Sequence, residues 1–61
     1  MTKTQWRSLR IGTKVTMTRD GKIYIGEIIR TNSNGSQMLV RWDGSLTEIW
    51  YGRLGIELLN Q

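Results

Sequence analysis

The sequence predicts a single all-β unit of five short strands, and three observations carry that reading. Turn signals recur at short, regular intervals, the segments between them alternate apolar and polar residues, and 61 residues leave room for one folding unit only. Gly12 opens a first strand in which Val15 and Met17 alternate with Lys14, Thr16 and Thr18, the period of a half-buried strand. Arg19-Asp20-Gly21-Lys22 follows, and Asp-Gly favours the positive backbone dihedrals of a tight hairpin.

Ile23 to Thr31, rich in β-branched and aromatic residues, reads as the longest strand, with Gly26 inside it. A glycine there marks a bulge, a bend or the close approach of another group. Tyr24 and Ile28 share one parity and Ile23, Ile25 and Ile29 the other, so one buried face cannot hide them all. The expectation is a strand that bends at Gly26 and changes its buried face. The alternative is an apolar stripe left outside for a partner.

Asn32-Ser33-Asn34-Gly35-Ser36 forms the second turn, and Gln37 to Trp42 alternates again, with Met38, Val40 and Trp42 on one face and Leu39 and Arg41 on the other. Asp43-Gly44 is a third turn. Ser45 to Trp50 is then the fourth strand, Tyr51 to Gly55 a short helical turn, and Ile56 to Leu59 the last strand. Residues 1–10 read as a basic arm, extended or briefly helical, preceding a folded unit at 11–61; Trp6, Leu9 and Arg10 fall near one helical face, in a stretch too short to stand alone.

Composition narrows the chemistry. The chain has neither cysteine nor histidine, which removes disulfides, thiolate nucleophiles and the commonest metal ligand and general base. No cofactor or metal is expected. Glu27 and Glu48 alternate with apolar neighbours as solvent-facing strand positions do, Asp43 belongs to a turn and Glu57 to the chain end, so no acid and base pair stands out. No apolar run approaches the roughly 20 residues of a membrane span. The protein reads as cytoplasmic and non-catalytic. A chain this short buries only about 60% of the surface its unfolded form exposes, which keeps a homo-oligomer in view.

The set of short strands, the glycine of the second and the turn before the last resemble the SH3-like barrels, among them Tudor, chromo-barrel and KOW-type modules. Gly12-Thr13-Lys14-Val15, Tyr24-x-Gly26-x-Ile28 and Leu39-Val40-Arg41-Trp42-Asp43-Gly44 carry the resemblance, which covers roughly residues 11 to 59. It implies a five-stranded barrel with a helical turn before the last strand. A second resemblance is to the plasmid-encoded type II dihydrofolate reductases, through Tyr24-Ile25-Gly26-Glu27-Ile28 and Glu48-Ile49-Trp50-Tyr51. Glu48 stands where that family has its pore glutamine, so the polar groups that would hold folate are not reproduced.

Charge and aromatic residues point to binding. Six of the nine basic residues lie in the first 22 positions, which carry a net +5, while the remainder sums to −1. Such asymmetry suggests an anionic partner. Arg10, Lys14, Arg19, Lys22, Arg30 and Arg41 are expected to form one basic patch, with Trp50 and Tyr51 supplying ring faces for bases. Arg30 and Arg41 are expected to be neighbours because the Asn34-Gly35 turn pairs their strands, and Trp50, following an inward-pointing Ile49, is expected to point outward or lie at a groove with Tyr51. The expected partner is nucleic acid, DNA above all, bound with little sequence preference.

Two other classes of partner fit the same residues. A methyl-lysine cage would draw on Trp42, Trp50, Tyr24 and Tyr51 with Asp43 or Glu48. A protein-interaction module, such as a small phage or mobile-element factor docking on a host protein, would use the exposed isoleucine stripe.

Overall fold

The computed structural model describes residues 1–59, so the last two positions of the expected 11–61 unit lie outside the described residues. The elements are α1 (Lys3–Arg7), β1 (Lys14–Arg19), β2 (Lys22–Thr31), β3 (Met38–Trp42), β4 (Glu48–Tyr51) and β5 (Glu57–Leu58). The chain is all-β: among the described residues five antiparallel strands form one sheet in the order β4-β3-β2-β1-β5. Among the described residues no ladder joins β4 to β5, so the sheet stays open at both edges.

Residues 1–10 fold onto the sheet. Thr2 caps α1 in a reciprocal box: its Oγ1 accepts from the Gln5 backbone N–H at 3.1 Å, and Gln5 Oε1 accepts from the Thr2 N–H at 2.9 Å. One turn of helix cannot persist alone. It is held because Trp6 and Leu9 are buried in the core and the Trp6 indole donates to the Gly35 carbonyl at 2.7 Å.

The β1–β2 hairpin closes on Arg19 paired with Lys22, and both central residues have positive φ, Asp20 at 52° and Gly21 at 76°. That dihedral pair matches the right-handed twist of the strands it joins. The β2–β3 connection is longer than a two-residue turn. Thr31 pairs with Met38, and Asn32 braces the loop through a bond from its side chain to Ser36 and one accepted from the Gln37 N–H.

Strand β4 begins at Glu48 rather than Ser45, since Ser45 donates its N–H back to the Trp42 carbonyl and its hydroxyl accepts from the Thr47 N–H. Those bonds satisfy the loop locally in place of a ladder. The segment before β5 is a single hydrogen-bonded turn, Gly55 N–H to the Gly52 carbonyl, short of a helix.

The core lies on one face of the sheet, where Val15, Ile28, Met38, Val40 and Trp42 meet Trp6, Leu9 and Ile56. Strand β2 does not change its buried face at Gly26. Gly26 and Ile28 turn inward beside Trp42 and Val40, and the one register skip falls at Ile29. The role of Gly26 is close approach rather than bending: a Cβ there would lie 2.7 Å from Trp42 Cε3. Ile23 and Ile25 consequently stay on the far face, exposed at 71% and 38%.

Candidate binding groove

The expected basic and aromatic surface does not assemble as one patch. Lys22 and Arg30 sit at opposite ends of β2, up to about 26 Å apart at the usual rise of about 3.3 Å per residue. Two further cations are neutralised across strands. Lys14 Nζ lies 3.0 Å from Glu27 Oε1, and Arg41 Nη2 lies 2.8 Å from Glu48 Oε2. The bond from Lys14 to the Glu27 carboxylate, followed by their charge attraction, raises the lysine above its ordinary value.

Arg30 and Arg41 are not partners, because Arg30 faces Leu39 and Arg41 faces Glu27 and Glu48. The extra residue at Ile29 moves Arg30 by one position, from Met38 to Leu39, which puts it on the outer face. Arg10 is exposed in the connection between α1 and β1, where its guanidinium donates to the Leu9 carbonyl at 3.1 Å. Trp50 and Tyr51, adjacent on an extended strand, point to opposite faces: Tyr51 pairs with Met38 on the core side, and Trp50 pairs with Leu39 on the other. Trp50 and Glu48 are thereby removed from any cage with Tyr24 and Trp42. Among the described residues no cluster of potential metal ligands occurs, and no helix is long and apolar enough to cross a membrane.

The structure instead brings together a groove between the β1–β2 hairpin and the β3–β4 loop, of about 550 Å³. Met17, Tyr24, Ile49 and Tyr51 come from the inward-facing positions of β1, β2 and β4, while Asp20 and Asp43 come from the turns above them. The floor is rigid. The Trp42 indole donates to Tyr51 Oη at 2.9 Å, and the two rings meet edge to face with centroids 5.6 Å apart.

Asp43 is anchored through its N–H to the Ile25 carbonyl at 2.8 Å, leaving its side chain exposed at the rim. Among the described residues neither Asp20 nor Asp43 makes an ion pair, and Arg19 is the one cation lining this groove. A concave apolar floor with a few polar groups at its edge is the usual form of a ligand site.

Of the residues expected to bind, Arg19 and Tyr51 line the groove; Lys14, Arg30, Arg41 and Trp50 lie on the outer face of the sheet. Met17, Ile49 and Asp20 were not anticipated as site residues. Their signal was present in the hairpin turn, which holds Asp20, and in strand parity, which puts Met17 and Ile49 on the core side. Compared with family models, curated proteins and solved structures, the chain matches none.

Proposed function

We propose that this chain is a small, non-catalytic binding module of SH3-like type that takes an extended segment of another protein in the groove between its β1–β2 hairpin and β3–β4 loop. The strand order, with β5 beside β1 and a meander from β1 to β4, supports the fold assignment. The observation that carries the function is the groove itself. Tyr24, 39% exposed, lines it together with the Trp42–Tyr51 pair and two carboxylates free of ion pairs among the described residues. An apolar side chain fits the Met17 and Ile49 floor, and a basic group beside it meets Asp20 and Asp43.

A random peptide library selected on the immobilised protein tests this. Enriched peptides should carry a basic residue next to an apolar one, and should lose binding to a folded Tyr24→Ala or Asp43→Asn variant. Peptides that bind both variants as well as the wild type would refute the groove as the site.

Nucleic-acid binding is kept as a second reading for one reason. Lys3, Arg7, Arg10, Arg19 and Lys22 make no ion pair among the described residues, so a net positive field persists away from the paired face. Titration with duplex DNA, single-stranded DNA and RNA at two salt concentrations decides it. Binding that weakens with salt, and weakens further in Arg19→Glu/Lys22→Glu, supports this reading; no binding at low salt removes it.

A further inference from the structure

The face of the sheet opposite the core is apolar and charged in a pattern that fits a second copy of itself. Leu39 is only 8% exposed, yet it lies outside the core cluster, on the face shared with Trp50 and Arg30. With Ile29 half-buried, Ile25 at 38% exposure and Trp50 at 41%, this face has an apolar surface of its own.

Beside that surface four charges cross four neighbouring strands in register: Lys14 on β1, Glu27 on β2, Arg41 on β3 and Glu48 on β4. Their signs alternate. A row of this kind is antisymmetric about its centre, between β2 and β3. A two-fold axis running along the strands through that centre sets Lys14 over Glu48 of the second copy and Glu27 over Arg41 of the second copy. All four contacts made by this row are then attractive, and the symmetry makes them come in identical pairs, while Arg30 lies over Leu39 of the second copy rather than over another charge.

We propose that this chain forms a two-fold dimer through its outer sheet face, with the Lys14, Glu27, Arg41 and Glu48 row setting the register and Leu39, Ile29 and Trp50 supplying the apolar contact. A standard interface takes about 800 Å² from each partner, less than a fifth of the 4524 Å² this chain exposes. A single sheet face is of that order or smaller, so the dimer belongs to the small, readily dissociating class. An anionic polymer or a uniformly charged protein would meet attraction and repulsion in equal measure on this row. The dimer also leaves both grooves facing outward, so a partner with two recognition segments gains avidity.

The sign pattern permits a decisive experiment by sedimentation over a concentration series. The wild type should rise from monomer to twice the monomer mass as concentration increases. Exchanging one pair within the chain, Arg41→Glu/Glu48→Arg, keeps the intramolecular ion pair but puts like charges face to face in the dimer; so does Lys14→Glu/Glu27→Lys. Each variant alone should associate at least about 10-fold more weakly than the wild type. Mixed together they should form a heterodimer, because every facing pair is again opposite in sign.

Should either exchange fail to fold, Trp50→Arg on the wild-type background must weaken the dimer as well. A wild type that stays monomeric at the highest attainable concentration overturns the proposal and leaves this face to a different partner. A dimer indifferent to both exchanges, or variants that do not recover on mixing, overturns it equally.

Discussion

Replacing Gly26 by alanine should destabilise the protein through steric crowding alone. Gly26 is inward-facing on β2, and a Cβ built there lies 2.7 Å from Trp42 Cε3, 2.8 Å from Val40 Cγ1 and 2.9 Å from the Arg41 carbonyl oxygen. None of the three yields easily. Trp42 is held by its bond to Tyr51, Val40 is fully buried, and the Arg41 carbonyl belongs to the strand paired with β2. Overpacking of this kind costs about 1–3 kcal/mol. The lower backbone entropy of alanine returns about 0.5–1 kcal/mol of that, leaving a net loss of about 1–2 kcal/mol.

In a domain this small each kcal/mol moves the midpoint by about 4–8 °C, so Tm should fall by about 4–16 °C in a thermal melt followed by tryptophan fluorescence. Gly52→Ala is the matched control, since a Cβ there meets nothing within 4 Å. It should leave Tm unchanged or raise it slightly. A Gly26→Ala protein as stable as the wild type would refute the close packing of β2 against Trp42.

Three further outcomes follow from the same geometry. Trp6→Phe keeps most of the buried ring but removes the donor to the Gly35 carbonyl; denaturant unfolding should show a loss of about 1–2 kcal/mol, and an unchanged midpoint would mean that this bond does not hold α1 to the β2–β3 loop. Tyr51→Phe leaves the buried Trp42 indole without its acceptor and should cost about 1–3 kcal/mol by denaturant unfolding, with altered peptide binding in the groove. Because the Lys14 pKa is raised in the folded state, its contribution is fully present below the ordinary value of 10.5 and is lost as pH climbs through the raised one. A pH series of melts should therefore show the wild type and Glu27→Gln differing at neutral pH and converging in strong alkali; a gap that persists there would place the effect outside this ion pair.

The strands were legible wherever local chemistry decides. Asp20-Gly21 codes a hairpin through its own dihedral preferences, and the alternation of Val15 and Met17 against Lys14 and Thr16 needs no knowledge of the partner strand. The end of β3 at Trp42 was legible too, but the start of β4 was not. Ser45, Leu46 and Thr47 have no pattern that separates loop from strand, and the Ser45 bonds that settle it are made within the turn. The groove was visible only in part, since Tyr24, Tyr51 and Asp43 can be grouped by residue type but not by face.

What the sequence determined by itself was the period of each strand, the positions of its turns and hence an all-β chain, because these depend on neighbours one to four residues away. Which parity of β2 is buried, whether Lys14 and Arg41 are free or paired, and whether Trp50 stands with Tyr51 or behind it were decided only in the tertiary structure. Each depends on register between strands, and a single extra residue at Ile29 is enough to move Arg30 from opposite Met38 to opposite Leu39, and so from the core face to the outer one.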